Sequence, residues 1–177
     1  QRTNVATIVF SGDNKYSHFS VQCTDNAGNA NDPVDYDTST AAGTENTFVI
    51  DTIDPVINVQ YYADGKLINP GKTENDRIYK NSTVDAVITI TEHNFSMDDS
   101  FVKGQISYSV SATKVGSENG EIPDYQAQAD TVGSWTSVAD TRTSSNFVYS
   151  IDGNYVTGFT YTDLSGRRAT WTNDYFT

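Results

Sequence analysis

Two segments 138 positions apart carry the same strand-and-turn pattern, and this repeat restricts the chain to folds built from two equivalent units. Residues 16–29 read YSHFSVQCTDNAGN, and residues 155–167 read YVTGFTYTDLSGR. The offset places Val21 on Phe159, Cys23 on Tyr161, Thr24 on Thr162, Asp25 on Asp163 and Gly28 on Gly166. Each copy alternates in polarity and ends in an Asp-x-x-Gly turn. Phe19, Val21 and Cys23 share one face of their strand, as do Thr157, Phe159 and Tyr161. A period of two makes that the buried face. A short strand and a glycine-containing turn precede each copy. These are residues 5–10 with Ser11-Gly12-Asp13-Asn14, and residues 147–151 with Asp152-Gly153-Asn154.

The side chains select β structure. Leucine occurs twice (Leu67, Leu164), against 16 valines, 11 isoleucines, 23 threonines and 11 tyrosines. Branched and aromatic side chains fit a pleated, half-buried surface, so a helical bundle is excluded. Strands are expected at 56–62, 77–79, 84–92, 105–113, 134–139, 147–151, 155–162 and 170–176. Turn residues separate them at intervals of about eight to twelve residues, the spacing of a sandwich or barrel. Ala86, Ile88 and Ile90 share one face, with Val87 and Thr89 opposite. Residues 94–100 leave room for one helical turn. At 48–57, FVIDTIDPVI, an apolar strand runs into an Asp/Thr/Pro segment and a new apolar strand follows. Proline removes a ladder donor and holds the chain extended, so this segment is a short, stiff joint. The domains expected are 1–53 and 54–177. The first supplies only the last three strands of a sandwich and is not expected to close its own core without further residues or a partner chain.

Charge narrows the partners. Eleven basic residues face 23 acidic ones, a net charge of −12. Nucleic-acid binding and docking on anionic lipid both need a basic surface and are disfavoured. A single cysteine, Cys23, excludes an internal disulfide framework. No apolar run is long enough to span a bilayer. The chain opens inside an apparent strand and is expected to be a piece of a longer protein.

The segments VIDTIDPVI (49–57), TDNAGN (24–29) and VITITEHNF (87–95) resemble hallmarks of immunoglobulin-like repeats on large cell-wall-anchored surface proteins of Firmicutes. The resemblance covers nearly the whole chain. It implies an all-β, immunoglobulin-like antiparallel β-sandwich, exposed at the bacterial cell surface or secreted. Departures are the DLSGR turn of the second copy, a lengthened loop at 30–46 and a long stretch at 114–145. Long loops on a rigid scaffold are where binding usually resides.

Catalysis has little support. His18 lies on the polar face of a strand and His93 at the end of another, with no accompanying nucleophile motif or metal-type spacing. Cys23, beside Phe19 and Val21, is expected to be a small buried hydrophobe. The chain is expected not to be an enzyme. A Lys–Asn crosslink would need a buried lysine, and nothing selects Lys80 or Lys103.

Calcium has a stronger case. Asp13, Asp51, Asp54, Glu92, Asp98, Asp99 and Asp163 are acidic residues that a sandwich topology gathers towards the joint. A hard cation needs six to eight oxygens at about 2.3–2.6 Å. The competing reading is solvated turn aspartates, because aspartate favours turns for its own local hydrogen bonds. No contiguous calcium loop is present.

Tyr61, Tyr62, Tyr125, Trp135, Trp171 and Tyr175 either fill the core or stand outside as anchors for a protein or glycan. Tyr61 and Tyr62 are adjacent on a strand, so one of them faces outward. Three functions follow from the resemblance. The first is a module that binds a host protein, with host immunoglobulin, held in a superantigen-like way, as the favoured partner. The second is a rigid stalk. The third is a carbohydrate-binding accessory domain of a secreted glycoside hydrolase.

Overall fold

The computed structural model describes residues 5–16, 18–37, 48–95, 105–115 and 120–177. The chain divides into two compact units, Gln1–Thr52 and Ile53–Thr177, one residue before the boundary expected from the sequence. Strands dominate both, and every sheet is antiparallel.

The first unit holds two separate strand pairs. Strand β1 (Asn14–Tyr16) pairs with β4 (Phe48–Ile50), and β2 (His18–Val21) pairs with β3 (Val34–Asp37). Phe10 is the hub of a small aromatic group, with ring centroids 5.0 Å from Tyr16, 5.3 Å from Phe19 and 5.1 Å from Phe48. Two-stranded sheets cover little surface. Of the residues of this unit whose exposure is described, none is buried. Cys23 corrects the expectation drawn from alternation, because it is exposed. Strand β2 ends at Val21, and Cys23 already belongs to the turn, where its N–H donates to Asn31 Oδ1 at 2.7 Å.

The second unit is β-sandwich-like. One sheet has the order β6-β5-β7-β10-β9, formed by β5 (Val56–Ala63), β6 (Lys66–Ile68), β7 (Val84–Thr91), β9 (Trp135–Val138) and β10 (Thr141–Ser144). Strand β11 (Phe147–Tyr149) pairs with the first half of β7, whereas β10 pairs with the second half. The other sheet has the order β13-β12-β8, formed by β8 (Ile106–Lys114), β12 (Gly153–Thr162) and β13 (Arg168–Phe176).

Rings fill the space between the sheets. Tyr61, Phe147 and Tyr149 from one sheet meet Tyr108, Tyr155, Phe159, Tyr161 and Phe176 from the other. Tyr108 stacks on Phe147 at 5.1 Å, and Tyr149 meets Phe176 edge-on at 5.0 Å. The scarcity of leucine follows, since aromatic rings supply the bulk, and Leu67 and Leu164 are 58% and 62% exposed. Buried hydroxyls need partners. Tyr61 Oη and Thr157 Oγ1 lie 2.7 Å apart, while the Tyr125 hydroxyl donates to the Val148 carbonyl at 2.7 Å. Burial raises the pKa of Tyr61, Tyr108 and Tyr125 above the usual tyrosine range.

The stretch 114–145 is more ordered than a loop. It carries helix α1 (Tyr125–Ala129) and the β9–β10 hairpin; residues 116–119 lie outside the described set. The Gln126 side chain covers the free edge of β8. Its oxygen accepts from the Tyr108 N–H at 2.6 Å, and its amide donates to the Ile106 carbonyl at 3.0 Å. Segment 77–79 is not a strand; Ile78 makes a single bridge to Phe176. Strand β6 was not expected, although Asp64-Gly65 before it has the positive φ values, 51° and 70°, of a tight hairpin turn. His93–Phe95 forms a 3-10 turn that overlaps the start of the segment 94–100 expected to hold a helical turn, and residues 96–100 lie outside the described set.

The β9–β10 turn places Ala139 at φ 47°, where a Cβ costs about 1–2 kcal/mol. Ala139→Gly is therefore expected to stabilise the protein by about 1 kcal/mol, read from chemical denaturation at an unchanged m-value.

Candidate functional site

The inner rows of two facing strands lead to a pair of acids. Along β7, Val84, Ala86, Ile88 and Ile90 point into the core; along β12, Tyr155, Thr157, Phe159 and Tyr161 do so. One step further in the same phase come Glu92, 1% exposed, and Asp163, 5% exposed. A carboxylate oxygen of Glu92 lies within 4.8 Å of one of Asp163. If both were ionised they would repel by about 3.5 kcal/mol at an effective dielectric of about 20. Such a pair is held together by a shared proton, a nearby basic group or a hard cation.

Main-chain bonds fix both residues. The Glu92 N–H donates to the Asp140 carbonyl at 2.8 Å, and its own carbonyl accepts from Phe95 N–H at 3.1 Å. The Asp163 N–H donates to the Arg167 carbonyl at 2.9 Å, and Gly166 N–H returns to the Asp163 carbonyl at 3.2 Å. Asp163 Oδ1 accepts from Arg167 N–H and Ser165 Oγ, both at 2.8 Å. Asp163 Oδ2 is shut off from solvent and has no hydrogen-bond partner among the described residues. Gln105 Oε1 and Asp140 Oδ1 are in the same condition. Gln105 is next to this end of the unit, because its carbonyl accepts the Thr162 N–H at 3.0 Å. Arg142, buried on β10, donates to the Phe95 carbonyl at 3.2 Å and lies 4.5 Å from the Phe95 ring centroid.

The repeat read from the sequence is a structural repeat at this turn. In the first unit, Asp25 N–H donates to the Asn29 carbonyl, Gly28 N–H returns to the Asp25 carbonyl, and Asp25 Oδ1 accepts from Asn29 N–H. Gly28 has φ 88° and Gly166 φ 89°, a conformation in which only glycine is unstrained. The copies differ at the second carboxylate oxygen. Asp25 Oδ2 accepts from Asn29 Nδ2 at 2.9 Å. The residue equivalent to Asn29 is Arg167, whose guanidinium reaches Asp54 at 2.7 Å.

Asp13 and Asp54 among the remaining acidic candidates have other partners. Asp13 is taken up within the first unit, where both its oxygens accept from the Thr52 hydroxyl, at 2.8 and 2.7 Å. Asp54 pairs with Arg167, Asp51 follows β4 in the first unit, and Asp98 and Asp99 lie outside the described residues, as does Lys103.

The aromatic candidates divide in two. Tyr61, Tyr125 and Trp135 are core residues and cannot be surface anchors, a correction that follows from their inward phase and from the Trp135 indole donating to the buried Ala129 carbonyl at 2.9 Å. Tyr62, Trp171 and Tyr175 are half-buried. Trp171 borders a cleft of about 320 Å³ with Asn58, Gln60, Asn69, Lys72 and Asp174. Its indole N–H donates to Asp174, and the Lys72 ammonium sits 4.6 Å from its ring centroid and pairs with Asp174. Reading β13 alone missed Asp174. It is a polar residue at a core position, anchored by Lys72 from a loop 102 residues away.

No protein-family model matches the sequence, and no curated protein or solved structure matches the chain.

The Asp25 turn makes a pH prediction. The Asn29 side-chain amide, followed by the Asn29 N–H, lowers the Asp25 pKa below its ordinary value. A lowered pKa means that the turn's ionic hydrogen bonds are intact above the unfolded value, about 3.9, and are lost as pH falls through the folded one. The amide resonances of Ala27 and Asn29 should titrate together with a midpoint below 3.9, about the ordinary aspartate value. A midpoint at or above that value would contradict the bonding described.

Proposed function

We propose that this chain is a non-enzymatic, immunoglobulin-like module of a bacterial surface protein, acting outside the cell by binding a host protein, with host immunoglobulin as the favoured partner. The observation that supports this most is the outer edge of β9. Strand β9 pairs only with β10 among the described residues. Ser145 N–H donates to the Ser134 carbonyl, so the ladder alternation turns the Ser137 main-chain groups away from β10, whereas the Trp135 N–H is bonded to the Val132 carbonyl. Thr136, Ser137 and Val138 are exposed, Val138 to 73%. An exposed edge is a template for strand addition, and immunoglobulin domains offer strands of the same kind. The edges of the other sheet are covered in part: Gln126 covers β8 at Ile106 and Tyr108, and Gly71 and Ile78 bridge to the last two residues of β13. The half-buried Tyr62, Trp171 and Tyr175 add apolar contact area on the surface. The resemblance of VIDTIDPVI and TDNAGN to cell-wall-anchored repeats supports the location, and the net charge of −12 agrees with a protein partner.

The cleft beside Trp171 favours a second reading, a carbohydrate ligand, because an indole with amides, a carboxylate and a lysine suits sugar hydroxyls. One experiment separates the readings. The chain is immobilised, serum and mucosal secretions are passed over it, and retained proteins are identified before and after elution with free sugars. Immunoglobulin retained against sugar is expected. Ser137→Pro removes the outward N–H without touching the β10 ladder, and should weaken capture by about tenfold, equivalent to about 1.4 kcal/mol. Unchanged capture by this variant would overturn strand addition. Release by sugar would favour the glycan reading, and clean flow-through would leave a rigid stalk.

A further inference from the structure

We propose that Glu92 and Asp163 hold a calcium ion within the second unit, with Oδ2 of Asp163 as one ligand. Three observations converge. The two carboxylates are buried, with oxygens within 4.8 Å of one another, a separation that a single bridging cation spans. Asp163 Oδ2 is solvent-inaccessible and has no donor. The repeat supplies the internal control for that vacancy of donors. The same turn in the first unit satisfies the same oxygen through Asn29 Nδ2 at 2.9 Å. At the matching position Arg167 keeps the N–H that binds Oδ1, at 2.8 Å, but brings no donor to Oδ2. The two copies of the turn share their main-chain bonds and differ at the second carboxylate oxygen.

The ligand chemistry is that of a hard cation. Carboxylate oxygens dominate, and Gln105 Oε1 and Asp140 Oδ1 are further buried acceptors without a hydrogen-bond partner among the described residues. Both belong to residues bonded by main chain to this end: Gln105 to Thr162, Asp140 to Glu92. Oxygen ligands of irregular arrangement suit calcium, which accepts six to eight of them with water completing the shell, better than magnesium, which demands a near-ideal octahedron. The ion would tie the end of β7 to the end of β12, one strand from each sheet. Its effect would be to clamp the sandwich at this end.

The test uses the full chain stripped with chelator and dialysed into chelator-free buffer at pH 7. Calcium chloride is titrated in by calorimetry, with magnesium chloride in parallel, and thermal unfolding is followed with each ion. The expected result is one bound calcium per chain, a melting temperature that rises with calcium concentration, and no comparable rise with magnesium. Asp163→Asn and Glu92→Gln should each lower calcium affinity at least tenfold. Asp25→Asn, the same change in the other copy of the turn, should leave it unaltered. If Asp163→Asn fails to fold, Glu92→Gln and displacement of terbium luminescence by calcium carry the test. An unchanged melting temperature at millimolar calcium would overturn the proposal and leave Arg142 or a shared proton as the compensating group. Equal loss of affinity in Asp25→Asn and Asp163→Asn would overturn it as well.

Discussion

Large rings packed between two antiparallel sheets set the geometry of the second unit. Aromatic side chains bury about 150–250 Å² each, and here they arrive from both layers, Tyr61, Phe147 and Tyr149 facing Tyr108, Phe159 and Phe176. That packing holds β7 and β12 opposite one another with their inner rows in register with the core. A strand cannot choose which face its next residue joins, because the period is two. Where the apolar row of β7 runs out, the next inward position is Glu92; where that of β12 runs out, it is Asp163. The buried acid pair is thus a direct consequence of the ring packing and the pleat.

Much of this was legible in the sequence. The inward rows Ala86-Ile88-Ile90 and Thr157-Phe159-Tyr161 follow from alternation, and the structure buries all six residues. The equivalence of Asp25 with Asp163 and of Gly28 with Gly166 follows from the repeat, and the two turns share their main-chain hydrogen bonds and glycine φ values. Glu92 and Asp163 were among seven acidic candidates, but alternation carried one step past each strand would have singled them out. Other features depend on contacts that no local pattern records. Tyr125 looks like a loop residue in sequence and Trp135 lies on an expected strand with no alternation to mark its inner face, yet α1 and the β9–β10 hairpin fold both into the core. Cys23 fails in the opposite sense, since its strand ends two residues early. The pairing of Asp174 with Lys72 and the covering of β8 by Gln126 are tertiary arrangements, invisible to spacing.

The edges of the sheets connect the fold to its proposed role. Unprotected edges invite pairing with other chains, and proteins blunt them. Here a glutamine amide mimics a neighbouring strand beside β8, and Gly71 exchanges both main-chain bonds with Tyr175 on β13. Gly71 has no room for a side chain, since a Cβ would stand 2.2 Å from the Asp76 carbonyl oxygen. Strand β9 lacks such a guard among the described residues, and it carries exposed Thr136, Ser137 and Val138. The acid pair is a separate device, at the ends of β7 and β12, and concerns how firmly the two sheets are held.

The most direct test of this account is side-chain carboxyl carbon NMR of the aspartates, recorded on chelator-stripped protein and again after calcium is added. The Asp163 carboxyl resonance should move, because one of its oxygens has no donor. The Asp25 resonance should stay where it is, because both of its oxygens are already engaged. Movement of both signals, or of neither, would contradict the claim that the repeat built one turn for structure and adapted its copy for a ligand.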